Sequence, residues 1–202
     1  MAINLANNNS LANITALPSS ISGGAMTLLA TQTASGSANL SFTSGIDDTY
    51  DSYVFKFYNI HPATDNVQFL FNMSSDSGSN YNVTKTTTYF LAEHNATGGS
   101  ANLSYQSAKD LAQSTDFQKL MTDLGNAADE NLSGYLTIYN PSSTTFVKNF
   151  MSRTNAQAYS ATNISFDNYI AGYGNTTSAI NAVQFKMSSG NFDGVIKLYG
   201  IS

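Results

Sequence analysis

The stretch "SYVFKFYNIHPATDNVQFLFNM", residues 52–73, decides the fold class of this chain. It contains two runs, "SYVFKFYNI" and "NVQFLFNM", in which aromatic and β-branched residues leave apolar side chains on both faces. Such runs are typical of central strands buried on both sides. The connection between them carries Pro62 and Asp65, which favour a tight turn. We therefore predict two central strands joined as a hairpin, with His61 packed against the turn and not in a catalytic corner.

The remainder of the chain after residue 24 shows the same pattern of short runs separated by turn residues. The run "AVQFKMS" alternates most clearly and predicts that Val183, Phe185 and Met187 point inward. Strands at intervals of about ten residues are typical of an all-β sandwich. We predict an all-β fold, a jelly-roll-like β-sandwich, for residues 25–202. The further predicted strands are 26–34, 37–43, 81–92, 132–140, 145–152, 163–174, 182–188 and 194–200.

One segment, "SAKDLAQSTDFQKLM" at about 107–121, departs from the strand pattern. Leu111, Phe117 and Leu120 follow one another at mixed spacing, with Met121 and Leu124 beyond. Glycine-containing stretches flank the segment and mark it as an insertion between strands. We predict a short helical insertion here, with two turns packed across the end of the sandwich as the alternative.

Residues 1–24 differ from the rest because Asn, Ser and Ala dominate and isolated apolar residues follow neither a helical nor a strand period. The segment ends at Gly23-Gly24. Termini of this composition are often disordered. We predict an extended N-terminal arm held by a partner, separate from the sandwich domain.

The composition excludes several classes of function. Only 10% of the residues are charged, against roughly 25% in ordinary soluble domains. The net charge is −5 and no Lys/Arg cluster occurs, so neither nucleic acid nor an anionic membrane surface is an expected partner. The chain has no cysteine and therefore no thiolate chemistry. The first twenty residues lack the features of a signal peptide, so we expect synthesis in a cytoplasm without the usual export.

Candidate metal ligands are few. His61 with Asp65, or Glu93 with His94, supplies two ligands locally, but a zinc site needs three or four. Oxygen-rich turns are weak candidates for calcium, although exposed turns of this composition usually bind no ion. The calcium candidates are Asp47, Asp48, Asp51 and Asp76, with Asn80. We expect no cofactor.

Hydrolytic chemistry has little support. A Ser-His-Asp triad would need His61 or His94, and no G-x-S-x-G motif is present. A glycosidase would need two carboxylates on one face, but the two glutamates, Glu93 and Glu130, fall in separate loop-like segments. We therefore predict that the protein is not an enzyme.

Tyrosines offer the main hint of a binding surface. Tyr135 and Tyr139 would share one face of a strand, and Tyr169 and Tyr173 could do the same nearby. A tyrosine combines a flat apolar ring with a polar tip, which suits contact with carbohydrate or protein. We identify these four residues as possible ligand contacts, with packing at the edge of the core as the alternative.

Several stretches resemble a family of virion structural proteins of marine phages and cyanophages. They include "NIHPATDNVQF", "DSGSNYNVTKTTTYF", "NPSSTTFVKNFMS" and the closing "GVIKLYGIS". The resemblance covers nearly the whole chain from about residue 23, and the ending is similar to C-terminal modules of phage tail and fibre proteins. It implies an external, non-enzymatic component of a tailed-phage particle, made without export and exposed after lysis, and it carries no catalytic residues.

Two placements on such a particle follow. A head-decoration or cement protein, the preferred prediction, would use residues 1–24 to lie across capsid subunits. A tail-fibre or tail-tip protein would dock through the same arm and contact a host-surface glycan through its tyrosines. A glycan-degrading enzyme is a third and disfavoured alternative. We expect a homo-oligomer, with a trimer taken from the common symmetries.

Overall fold

The computed structural model describes residues 26–99, 101–159 and 163–202, and the regular structure in them is entirely β. The predicted all-β class is therefore confirmed. The arm predicted for residues 1–24 lies outside the described residues. In chain order the strands are β1 (Thr27–Ser37), β2 (Asn39–Phe42), β3 (Ser52–Pro62), β4 (Val67–Ser74), β5 (Lys85–Asn95), β6 (Ala101–Tyr105), β7 (Gln118–Leu124), β8 (Leu132–Tyr139), β9 (Lys148–Ala158), β10 (Ile164–Gly174), β11 (Ala182–Met187) and β12 (Phe192–Ile201).

The strands form two antiparallel sheets. The large sheet has eight strands in the order β1-β12-β3-β8-β9-β10-β5-β6, and the small sheet has four in the order β2-β11-β4-β7. Rings from the two sheets meet in the core. Phe55 and Phe57 of β3 each lie 5.2 Å from Phe185 of β11, centroid to centroid. This arrangement is consistent with the predicted β-sandwich.

Eight of the strands pair in a nested order along the chain. The pairs are β1 with β12, β2 with β11, β3 with β8 and β4 with β7. The first and third pairs lie in the large sheet, and the second and fourth lie in the small sheet. The other four strands, β9, β10, β5 and β6, continue the large sheet beyond β8. We call these four strands the extension.

Phe185 lies at the centre of the core. Its side chain is fully buried, and Val183 and Met187, two residues away on either side along β11, are also buried, so the inward face predicted for this strand is confirmed. Because edge-to-face and offset ring contacts add to the energy of apolar burial, this cluster is a major source of cohesion between the sheets. The rings around Phe185 are those of Phe42, Phe55, Phe57, Phe69 and Phe71.

The helix predicted for about 107–121 is wrong. The segment 106–117 runs in turns beside the first residues of β5, and Ser114 exchanges backbone hydrogen bonds with Lys85 at 2.8 and 3.0 Å. The Thr87 N–H donates to the Leu111 carbonyl at 2.9 Å, and Gln113 has a φ of +49°. Backbone groups that pair with β5 are not free to form helical bonds. The structure is thus close to the alternative of two packed turns.

The apolar spacing that suggested a helix has a different origin. Leu120, Met121 and Leu124 are fully buried on β7. On the partner strand β4, Phe69 and Val67 are two residues apart, but their partners Met121 and Leu124 are three apart. An irregularity of this kind inserts one residue, so a strand with a β-bulge shows a three-residue apolar spacing.

The hairpin predicted at residues 59–66 is also wrong. β3 and β4 belong to different sheets, so the connection after Pro62 crosses from one sheet to the other. Both strands lie in the interior of their sheets, but the predicted burial on both sides holds only for β4, because Tyr58 on the outer face of β3 is 40% exposed. His61 Nε2 lies 3.1 Å from the carbonyl oxygen of Ala127. The histidine thus links this crossing to a neighbouring turn.

Candidate ligand-binding face

The outer face of the large sheet, which is turned away from the small sheet, carries an exposed aromatic surface on β8 and the extension. Along β9, buried and exposed residues alternate strictly from Lys148 to Ala156. Phe150 points into the core, whereas Met151 is 54% exposed. The pleat therefore brings a separate set of side chains to the outer face.

Four aromatic residues of this face stand in one cross-strand row. Tyr135 is opposite Arg153, Arg153 is opposite Tyr169, Tyr169 is opposite Phe90, and Phe90 is opposite Tyr105. The exposed fractions of the four aromatic side chains lie between 40% and 47%. The row crosses five strands and so extends over roughly 19 Å at the usual strand spacing. We call it the aromatic row.

Arg153 is fixed between two members of the row. Its Nε donates to Asp167 Oδ1 at 3.0 Å, and its Nη2 donates to Oδ2 at 2.6 Å. The guanidinium lies 4.8 Å from the centroid of the Tyr169 ring, and Tyr169 Oη donates to Asp167 at 2.9 Å. The ion pair raises the pKa of Arg153 and lowers the pKa of Asp167. Asp167 thus accepts hydrogen bonds from both Arg153 and Tyr169, and the three side chains form one hydrogen-bonded group.

A shallow depression of about 310 Å³ lies beside this group. Tyr139 and Met151 form part of its wall, and Tyr139 Oη contacts Met151 Sδ at 3.7 Å. Thioether and aromatic groups make an apolar surface that adapts to a flat ligand. Its lining residues are Thr88, Phe90, Tyr135, Tyr139, Met151, Ser152, Arg153, Tyr169, Ile170 and Ala171.

Two further depressions border the first one. One of about 380 Å³ lies against Tyr173 and is lined by Thr86, Thr88 and Asn149 among others. Gln113 stabilises its edge, donating from Nε2 to Thr86 Oγ1 at 2.7 Å and to Tyr173 Oη at 3.3 Å. The second, of about 250 Å³, has a polar lining of Ser133, Gly134, Tyr135, Arg153, Asn155 and Asp167. The apolar surface thus has hydrogen-bonding groups on both sides.

The four tyrosines proposed from the sequence lie together on this face. Tyr135, Tyr139 and Tyr169 are each at least 40% exposed, and Tyr173 is half-buried. The alternative interpretation, packing at the edge of the core, is therefore wrong for Tyr135, Tyr139 and Tyr169. Whether they contact a ligand stays a prediction.

Sequence reasoning did not identify several members of the face, namely Phe90, Tyr105, Met151 and Arg153. In the run around Phe90, Tyr89 is also aromatic and is fully buried, so the sequence did not distinguish the outer residue from the inner one. Tyr105 comes from the short edge strand β6, which was not predicted. Its ring contacts that of Phe90 at 5.2 Å, and its hydroxyl donates to Asp110.

The calcium candidates lie in turns, and none of them lines the three depressions. Asp47 accepts hydrogen bonds from Thr49 N and Tyr53 Oη, both at 2.9 Å, and the bonds from Thr49 are the main cause of its lowered pKa. Asp48 and Asp51 lie in the same exposed turn. Within the described ranges, no three His, Asp or Glu side chains are close enough together to hold a metal ion. The calcium prediction therefore gains no support from a ligand cluster.

The carboxylate of Asp76, like that of Asp47, accepts hydrogen bonds from residues of its own turn. It accepts hydrogen bonds from Ser74 Oγ at 2.6 Å and from Asn80 N and Nδ2 at 2.9 and 2.7 Å. These contacts, chiefly that from Ser74, lower the pKa of Asp76 to about 2. They are the contacts of a side chain that closes a turn.

The comparisons with known proteins add no relatives. No family model matches the sequence, and neither the curated proteins nor the solved structures contain a significant match. In the part of the chain that the structure describes, no helix is long and apolar enough to cross a membrane.

Proposed function

We propose that this protein is a non-enzymatic structural protein of a bacteriophage particle and that the outer face of its large sheet binds a glycan on the host surface. The observation that carries the proposal is the aromatic row on this face. Contiguous exposed apolar surface is costly in water and usually marks an interaction site. The resemblance of the sequence to phage virion proteins supports the placement on a particle.

A glycan fits the chemistry of the face. Tyrosine rings offer flat apolar surfaces to the C–H faces of sugar rings, while their hydroxyl groups remain available for hydrogen bonds. Arg153, Asp167 and Asn155 add planar donors and acceptors at the border of the apolar surface. A mainly apolar site with a few oriented polar groups is the usual composition of a small-ligand site.

We also infer that the sandwich is a jelly roll. The nested pairs β1/β12, β2/β11, β3/β8 and β4/β7 place four strands in each sheet, as in an eight-stranded jelly roll. The extension then adds four strands to one of the two sheets. This architecture supports a stable module on the exterior of a particle.

Head decoration is the second candidate and rests on the sequence of residues 1–24. In that placement the arm lies across capsid subunits, and the outer face contacts the capsid or a second copy of the chain. The aromatic row favours the tail-fibre or tail-tip placement instead, because its polar borders and shallow depressions suit a glycan. A homo-oligomer, such as a trimer, is compatible with both placements.

A glycan-degrading activity has less support than binding. Of the residues that line the three depressions, only Asp167 is a carboxylate, and both of its oxygens are bound by Arg153. Glu130 is buried in a turn, where Oε2 accepts from Ala127 N at 2.9 Å, and Glu93 lies on β5. Hydrolysis would need a second carboxylate opposite the first.

The proposal is tested with the isolated full chain, labelled and titrated against host cells and against polysaccharide purified from their surface. We expect saturable binding to cells that the free polysaccharide inhibits, with no release of reducing sugars. The absence of cell binding would contradict the glycan role. Sugar release that is lost on substitution of Asp167 or Glu93 would contradict the non-enzymatic role.

The two placements are separated on the particle itself. Gold-labelled antibodies against the protein should bind the tail if the glycan proposal is correct and the head if the protein is a decoration protein. Deletion of residues 1–20 tests the arm, because truncated protein that joins particles at full occupancy would contradict an anchoring role.

A further inference from the structure

Two lysines of the outer face lie directly opposite each other. Lys56 of β3 and Lys197 of β12 are cross-strand partners, and Lys56 is also the partner of Tyr135 on β8. The lysine pair therefore continues the aromatic row by two strands. Both lysines are partly exposed, and their strand neighbours Phe57 and Ile196 point into the core.

Like charges at directly opposed positions destabilise a sheet. Among the described residues, neither Lys56 nor Lys197 forms an ion pair. Their ammonium groups lie over aromatic rings instead, Lys56 at 5.4 Å from the centroid of Tyr199 and Lys197 at 5.5 Å from that of Tyr58. These rings hold the two cations at the surface without neutralising them.

The local charge contrasts with that of the whole chain. The net charge of the protein is −5, with eight Lys and Arg residues in total. Apart from the turn residue Asp110, which Tyr105 binds, the outer face carries three cations and two carboxylates on its strands. They are Lys56, Arg153, Lys197, Asp167 and Asp193. Since Arg153 is paired with Asp167, the available positive charge lies at the lysine pair.

We propose that the glycan bound by this face is acidic, with its carboxylate or sulfate group at Lys56 and Lys197 and its sugar rings on Tyr135 and Tyr169. This inference rests on the proposed glycan-binding function. From Lys56 to Tyr169 there are three strand spacings, roughly 14 Å, which is long enough for a short oligosaccharide. An anionic group at this position is attracted by both lysines, so the charge of the proposed ligand complements the local charge of the face.

The test uses dextran, carboxymethyl dextran and dextran sulfate, which share one backbone and differ in charge. We expect the wild-type protein to bind both acidic forms about tenfold more tightly than dextran, equivalent to ~1.4 kcal/mol. The K56Q/K197Q variant should lose this preference. The matched variant K119Q/K186Q, which removes the same charge from the small sheet, should keep it. About 1 M salt should abolish the preference, because the screening length is then only about 3 Å.

A second measurement needs no ligand. If the two ammonium groups repel each other in the free protein, K197Q should raise the melting temperature and K186Q should not. A lower melting temperature for K197Q than for K186Q would contradict the repulsion on which the inference depends.

The outcomes separate the two proposals. Equal binding of neutral and acidic dextrans that is unaffected by K56Q/K197Q but lost in Y135A/Y169A would overturn the acidic-ligand inference and leave glycan binding intact. An equal loss in K119Q/K186Q would overturn the inference, because the attraction would then be non-specific. No binding to the dextrans together with no binding to host polysaccharide would overturn both proposals. The two acidic dextrans distinguish a carboxylate preference from a sulfate preference.

Discussion

Arg153 and Asp167 form a two-point ion pair, with N–O distances of 3.0 and 2.6 Å, on adjacent strands of the outer face. The pair holds the guanidinium over the ring of Tyr169, 4.8 Å from its centroid. A lysine has the same charge but neither the planar fork nor the stacking surface. The geometry at the centre of the aromatic row therefore depends on arginine specifically.

Arg153→Lys should weaken glycan binding several-fold with little change in melting temperature, because the pair is exposed and orients the ring rather than stabilising the fold. Calorimetric titration with the host polysaccharide measures the first effect, and a thermal melt measures the second. Lys186→Arg, on the small sheet, is the matched control. Unchanged affinity in Arg153→Lys would show that this orientation is irrelevant to binding.

The tyrosines of the row should determine affinity directly. Tyr135→Ala and Tyr169→Ala should each lower affinity about tenfold, because each removes a stacking surface from the ligand. Tyr159 is 48% exposed but lies at the end of β9, outside the depressions, so Tyr159→Ala serves as the control and should bind like the wild type. An equal loss in all three variants would indicate a general effect on the protein.

Phe185 should be the most sensitive position of the core. Phe185→Ala leaves a cavity between the sheets and should lower the free energy of unfolding by about 3–5 kcal/mol. Phe146 is 70% exposed, and Phe146→Ala should change this free energy by less than about 0.5 kcal/mol. Urea denaturation measures both, and Phe185→Leu provides a milder variant if the alanine variant does not fold. Similar values for the alanine variants would contradict the central position of Phe185.

Lys85 should make stability depend on pH. The side chain is fully buried, and Nζ donates to Asn72 Oδ1 at 2.6 Å and to the Val83 carbonyl at 2.7 Å. Burial lowers the pKa of Lys85 to about 7, from 10.5. Between pH 7 and pH 10.5, Lys85 is therefore protonated in the unfolded chain but neutral in the folded chain. Protonation thus favours unfolding, and the free energy of unfolding should rise with pH by roughly 1 kcal/mol per unit above pH 7.

The measurement is urea denaturation at pH 7, 8 and 9. Burial also lowers the pKa of Lys148, so the decisive quantity is the difference between the wild type and Lys85→Met. The variant should show a smaller slope, while Lys119→Met should keep the slope of the wild type. Identical slopes for the wild type and Lys85→Met would contradict the assignment to Lys85.

Most of the strands were predictable from the sequence, but β6, β7 and several of the connections were not. The alternation around Phe185 appears directly in the order of residues, because burial on one face imposes a period of two. The sheet to which β3 or β4 belongs depends on contacts distant in the chain, so the short link after Pro62 resembled a hairpin. The segment 106–117 was misread because its structure comes from hydrogen bonds to β5, which its own sequence does not encode.

The candidate site was likewise predictable only where it depends on alternation within one strand. Tyr135 and Tyr139 share a strand face by simple alternation. That they share a face with Phe90 and Tyr105 depends on β5 and β6 joining the large sheet beyond β10. The Lys56–Lys197 pair likewise arises from the pairing of strands that are far apart in the chain.

The most direct test of the central claim is to map the ligand contact by NMR on isotope-labelled full-length protein titrated with a host-surface oligosaccharide. The account predicts that the shifted backbone and side-chain resonances cluster on the outer face, around Tyr135, Arg153, Tyr169 and Lys56, while those of β2, β7 and β11 stay unchanged. Shifts confined to the small sheet, or no saturable shifts at all, would contradict the claim that this face binds a glycan.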